Sequence, residues 1–340
     1  MDRKYIYEIA EKIFSIDSPS GYTQKVVQFL KQEAESMGYE TALNHKGNLL
    51  ITVEGKDDSR TVGVSAHTDT LGLMVRSINS DGTLKFTKLG GPQLPTLDGE
   101  YCRIHTRDSK VYTGTILSTS PASHVFPDAE SLARDCDNMM IRIDEQVKSK
   151  EDVLALGINN GDIIAIDPKT TFTESGFIKS RFLDDKISVT CLFDILHHFK
   201  TENIKPTYKT IFIISTYEEV GHGAANLPEL DELLACDMGC IGLDLECTEY
   251  DVSICAKDSS GPYDYNMVST LIDLAKANNL PYAVDIYPFY GSDVSSALRA
   301  GNNIKGALIG PGVHASHGME RTHINAVEAS VKLMIAYLCK

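Results

Sequence analysis

The chain has 340 residues, more than one hydrophobic core usually organises, so two domains are expected. Its 42% hydrophobic and 23% charged residues suit a folded globular protein. The formal net charge of −15 argues against nucleic acid, whose binding rests on Lys and Arg neutralising phosphates, and against docking on an anionic membrane. The start, Met1-Asp2-Arg3-Lys4-Tyr5, leads into an amphipathic pattern without the apolar core of a signal peptide, and no apolar stretch is long enough to span a bilayer. Eight scattered cysteines without a Cys-x-x-Cys read as free thiols of a cytoplasmic protein.

Residues 3–15 and 22–37 have the spacing of amphipathic helices, separated by Ser20-Gly21 and closed by Gly38. Residues 48–53 and 61–66 read as strands, the second ending at His67-Thr68-Asp69. A His and an Asp two apart on extended chain point the same way. From residue 76 to 177 the texture changes to short alternating segments broken by Gly, Pro, Asp and Asn, with a short helix near residues 154–158. This is the pattern of a small β-barrel or β-sandwich, inserted between two α/β stretches, residues 1–75 and 178–340. The α/β pattern resumes at Arg181-Phe182-Leu183-Asp184-Asp185. A helix follows to about Phe199, its apolar face carried by Ile187, Cys191, Ile195 and Leu196. Asp is a favoured N-cap; one Asp satisfies that role and the second is surplus.

Thr210-Ile211-Phe212-Ile213-Ile214 reads as a buried strand, and at its carboxyl end stand Glu218-Glu219-Val220-Gly221-His222-Gly223. A helix is expected around Pro228–Ala235, then a buried strand over residues 240–246 containing Asp244. Helices are expected at 264–278 and 293–300. A strand at 304–309 is broken by Gly310-Pro311-Gly312, and a helix closes the chain from Ile324 to Cys339. Between these last two, His314, His317 and His323 fall within eleven residues. The whole reads as a three-layer α/β fold: a mostly parallel sheet with helices on both faces, carrying the inserted β domain.

His67, Glu218, Glu219 and Asp244 fall at carboxyl ends of expected strands. Asp184 opens a helix, and His317 lies in the loop after the last strand. Open α/β sheets gather such ends along one edge. Two imidazoles and three carboxylates, with a spare Glu beside them, suit a pair of divalent ions with mixed nitrogen and oxygen ligands: Zn²⁺ first, with Co²⁺ or Mn²⁺ as alternatives. Two such ions can hold a nucleophilic water between them and polarise a carbonyl.

The stretches Ala66-His67-Thr68-Asp69-Thr70-Leu71-Gly72, Phe182-Leu183-Asp184-Asp185-Lys186, Glu218-Glu219-Val220-Gly221, Leu243-Asp244 and the His317 loop resemble the M42 metallo-aminopeptidases, the glutamyl and tetrahedral aminopeptidase family. The likeness covers nearly the whole chain. It implies a dinuclear metal aminopeptidase acting on short peptides, with a water bridging the metals as nucleophile. His67, Asp184, Glu219, Asp244 and His317 are then the metal ligands, Asp184 as the bridge. Glu218 is the general base and Asp69 orients His67. The resemblance also implies a cis Asp184–Asp185 peptide, and dimers formed through the inserted domain that assemble to a dodecamer, with His124 reaching a partner's site. Two positions depart from the family pattern. Thr70 stands where Glu is usual, and the last motif departs from the usual Tyr-x before its histidine and Ser-Pro-x-Glu after it, which leaves His323 and His314 as alternatives to His317. The same residues admit two other readings: hydrolysis of N-acyl amino acids or small amides, and a non-catalytic peptide-binding assembly. Tyr287–Asp293 is a candidate substrate-side segment, and His197-His198 suits a helix C-terminus.

Overall fold

A computed structural model describes residues 2–340, and the chain divides into two compact units, Met1–Asp69 with Lys169–Lys340, and Thr70–Pro168. The first is built on a ten-stranded mixed sheet. Across the sheet the main path runs Glu40–Leu43, Leu49–Val53, Tyr208–Ser215, Asp57–His67, Glu232–Cys236, Lys305–Val313, Val252–Asp258. Its centre is parallel: Asp57–His67 lies between Tyr208–Ser215 and Glu232–Cys236, and the latter pairs in parallel with Lys305–Val313. These central strands are continuous apolar runs because both faces are covered. Phe212, Ile213, Ile214, Leu233 and Leu234 are fully buried. The helix Leu183–Thr201 is buried nearly all round, packed between the sheet, Arg3–Ser15 and the closing helix Ile324–Leu338.

The second unit is a closed six-stranded barrel in the order Gly72–Ile78, Leu84–Leu89, Met139–Ile143, Val111–Ser118, Tyr101–His105, Ile163–Ile166. Leu73, Val75, Phe86, Ile104, Ile116, Ile141 and Ile164 fill its interior. Closure leaves no open edge. Its bounds differ from the expected 76 and 177. The first barrel strand begins at Gly72, while Thr171–Phe172 and Phe177–Ser180 form a small sheet with Glu320–His323 in the first unit. His124, on an exposed segment of the barrel unit, has Ser123 Oγ 3.2 Å from its Nδ1.

Three local expectations are corrected. The segment expected as a helix near Pro228–Ala235 contains the strand Glu232–Cys236: five buried residues are too few for a helix and suit a covered parallel strand. The expected strand at 240–246 is reduced to the two residues Gly239–Cys240 followed by a turn, and Asp244 lies exposed next to Leu243, which is 95% exposed. Third, Gly310-Pro311-Gly312 does not break its strand, which runs on as Lys305–Val313. A Cβ at Gly310 would lie 1.8 Å from the Asp237 carbonyl oxygen, so glycine here permits a close backbone crossing.

Candidate metal centre

His67 ends its strand buried, 1% exposed. Its Nδ1 donates to the Asp69 carbonyl oxygen at 3.0 Å, which turns Nε2 toward Asp184 Oδ1 at 3.1 Å and Glu218 Oε2 at 3.7 Å. The Asp69 carboxylate stands 3.5 Å from Nδ1, but its closer partners are two backbone N–H groups and a hydroxyl. It accepts the N–H groups of Glu218 (3.1 Å) and Glu219 (3.3 Å) and the Ser20 hydroxyl (2.5 Å). Asp69 therefore fixes the Glu218–Val220 turn and, through its carbonyl, the imidazole.

Asp184 and Asp185 are joined by a cis peptide, and both keep non-helical backbone angles ahead of the regular helix. Neither acts as the expected cap. Asp185 Oδ2 accepts the His67 N–H at 3.1 Å, and Lys186, also buried, sends its ammonium to the carbonyls of Ile13 (3.0 Å) and Ile16 (2.6 Å). His317 Nε2 lies 3.4 Å from Asp184 Oδ2 and 3.7 Å from Glu219 Oε2.

Ligand atoms of His67, Asp184 and Glu219 lie within 4.8 Å of one another, and so do those of His67, Asp185 and Asp237. Asp244, exposed in its turn, is in neither group. The carboxylate at this edge comes from Asp237, which follows Glu232–Cys236 directly and is 4% exposed. Of the three histidines, His323 spends both ring nitrogens elsewhere: Nε2 donates to the Ser175 carbonyl (2.8 Å) and Nδ1 accepts the Asn325 N–H (3.1 Å). His314 is exposed. His317 alone of the three stands against Asp184.

Electrostatics follow from crowding carboxylates in a buried place. Burial raises Glu218, Glu219 and Asp185 well above the usual carboxylate range, and neighbouring acids add to it. Burial and the charge of Asp184 push Asp237 up to about 7. For Asp184 burial acts upward as well, but hydrogen bonds from His317 and His67 outweigh it and hold the carboxyl low. Burial works against a charged His67 ring, yet Asp184 and Asp69, with the nearby charges of Glu218 and Asp185, outweigh it and raise the imidazole well above its ordinary value.

The family model of the M42 glutamyl aminopeptidases matches residues 47–333. The chain belongs to that family. It is 45% identical over 333 residues to the Bacillus subtilis (strain 168) protein named Putative aminopeptidase YhfE, covering 97% of this chain and 96% of that one. The fold is that of the TET aminopeptidase of Thaumarchaeota archaeon SCGC AB-539-E09, with TM-score 0.89 and 20% identity over 99% and 96% of the two chains. It is also that of the PhTET1-12s dodecamer, with TM-score 0.87 and 23% identity over the whole of both. As an M42 member the chain is an aminopeptidase, a hydrolase of peptide bonds. M42 peptidases depend on metal ions, and the residues here fit such ions. The buried oxygens Asp185 Oδ1 and Glu219 Oε1 have no hydrogen-bond partner among the described residues. Unpaired buried carboxylate oxygens are costly unless a cation meets them, and a mixed imidazole and carboxylate set is the donor chemistry of Zn²⁺ and its neighbours.

Sequence reasoning missed Asp237 and Glu320. Asp237 was signalled by the apolar run Leu233-Leu234-Ala235-Cys236 ending in an acid, the same grammar as at Glu218. Glu320, three residues after His317, had as its one signal the Glu that the family pattern places after that histidine, and no role was attached to it. Tyr287–Asp293 is mixed: Phe289 is 93% exposed, whereas Ser292 and Asp293 are buried, with Asp293 Oδ2 accepting the Ser215 hydroxyl at 2.8 Å.

Proposed function

We propose that this M42 member removes N-terminal residues from short peptides with two divalent ions, zinc by donor chemistry. His67, Asp184 and Asp237 would hold one ion, and Asp184, Glu219 and His317 the other. Asp237 takes the place first given to Asp244, whose exposed turn offers no enclosure. Bound there, the ions would polarise the scissile carbonyl and make a water acidic enough to attack it. The carrying observation is the meeting of His67, Asp184 and Glu219 within 4.8 Å, with buried carboxylate oxygens left over for a cation.

Glu218 is the general base. Its carboxylate lies 3.7 Å from His67 Nε2, at the edge of the ligand cluster, and burial raises its proton affinity, which suits a group that accepts a proton and returns it. It takes the proton of the attacking water and passes it to the leaving amine. Asp69 supports this by holding the N–H groups of Glu218 and Glu219, so the base and its neighbouring ligand move together. Lys46 and Asn48 pin the far end of the same loop through the carbonyls of His222 and Gly223.

Among the described residues no helix is long and apolar enough to cross a membrane, and all eight cysteines are free. The free, mostly buried thiols are the ground for proposing a cytoplasmic enzyme. Assembly into a dodecamer is inferred from the related dodecameric structure. The test of the catalytic reading is Glu218→Gln, assayed on a panel of aminoacyl and N-acyl amides. Turnover should fall by about 10²–10⁴-fold with metal content unchanged, and only substrates with a free α-amine should be cleaved by the wild type. Retained turnover in the variant would remove Glu218 from its role.

A further inference from the structure

The loop that carries His317 is held in an unfavourable shape. Ala315 and His317 both have left-handed backbone, with φ of +60° and +63°, a region that residues bearing a Cβ rarely enter. Its shape is imposed from outside. The Gly318 carbonyl accepts from Arg181 Nη1 at 3.1 Å, and the His317 N–H donates to Glu320 Oε1 at 2.9 Å. The other oxygen of the same carboxylate, Oε2, accepts the Asp184 N–H at 3.0 Å.

We infer that Glu320 is a positioning residue that locks Asp184 and His317 to each other and so builds the second ion's site. This rests on the two-ion reading above. The residue is 1% exposed and begins the strand Glu320–His323, in which it pairs with Ser180, four residues before Asp184. One side chain thus spans two segments far apart in sequence, and it does so through backbone donors, which no change of neighbouring side chains can replace. Both its oxygens are engaged by N–H groups, and it falls in neither group of converging ligand atoms, so it serves as a brace. The outcome is the 3.4 Å approach of His317 Nε2 to Asp184 Oδ2. The first ion's remaining ligands, His67 and Asp237, come from strand ends and owe nothing to this brace.

The two bonds require two acceptors. Glutamine has nearly the same volume but one acceptor, and it turns an NH₂ group against whichever backbone N–H it fails to satisfy. Glu320→Gln therefore removes the lock without removing the packing. The measurement is a calorimetric titration of chelator-stripped full-length protein with Zn²⁺ alone. Wild type should take up two ions per chain. In Glu320→Gln the ion at Asp184, Glu219 and His317 should bind at least about tenfold more weakly, and the other, which shares only Asp184 with the brace, within about threefold of wild type, while the melting temperature of the metal-free protein stays close to wild type. Two ions bound with wild-type affinity in the variant would overturn the inference, and so would equal weakening of both, which would mark general loosening. A wild type that binds one ion or none would instead overturn the two-ion reading, and this brace with it. Should Glu320→Gln fail to fold, Glu320→Asp keeps the charge but is one methylene too short to reach both donors, and the same selective loss is expected.

Discussion

The helix Leu183–Thr201 carries buried carboxylates in two very different settings. At its start Asp184 and Asp185 stand among His67, Glu219, Asp237 and His317. Further along, Asp194 is fully buried where the helix packs on Arg3–Ser15, and its carboxylate has no side-chain hydrogen-bond partner among the described residues. By burial and orphaned oxygens the two look alike. They differ in convergence: the first group offers several ligand atoms within reach of one ion, and Asp194 offers one carboxylate. A buried acid alone is therefore a cost; several acids and imidazoles meeting from separate strand ends are a site. Experiments can break or sharpen this contrast.

The largest effect is expected at Asp237. Asp237→Ala should lose one bound ion and about 100-fold or more in turnover, whereas Asp244→Ala, changing an exposed turn, should leave turnover within about twofold. Metal analysis beside a kinetic assay reads both, and a reversed order would restore Asp244 to the site. Next is Gly310→Ala. The added methyl would meet the Asp237 backbone, which cannot swing aside as a side chain could, so a loss of about 3 kcal/mol in denaturant unfolding is expected, together with weakened metal binding. Wild-type stability would show that the crossing is looser than drawn.

The smallest effect concerns Asp194. Burial pushes its carboxyl up to about 6. The folded state thus prefers the protonated form: its stability is intact below the unfolded value near 4 and is lost as pH rises through 6. Asp194→Asn should be more stable than wild type at pH 7 by about 1–2 kcal/mol, with the advantage vanishing below pH 4. Thermal melts across that range check it, and a destabilised variant at pH 7 would show that the N-terminal charge and the Asp2 N–H, which pull the carboxyl down, outweigh its burial.

Much of this was legible in the amino-acid sequence. Glu218-Glu219 follows an apolar β-branched run, and His67 with Asp69 ends another, so strand pattern and chemistry agree. Asp237 was hidden because its strand is short and precedes a second apolar run, Ile241-Gly242-Leu243, that looked more strand-like. Periodicity does not separate a short buried strand from a helical turn. The role of Glu320 was invisible because its partners are backbone groups: residue type says nothing about which N–H a carboxylate will meet. The same holds for Asp69, whose imidazole-orienting contact is its carbonyl and whose carboxylate serves the opposite loop.

Ser20 and the carbonyls of Ile13 and Ile16 lie at the beginning of the chain, yet they satisfy Asp69 and Lys186, neighbours of His67 and Asp185. The opening helix and the loop after it are thus struts of the reaction chamber. A protein engineered to start after residue 20 would retain each proposed ligand and still forfeit the hydroxyl and the oxygens that keep two of their supports in place.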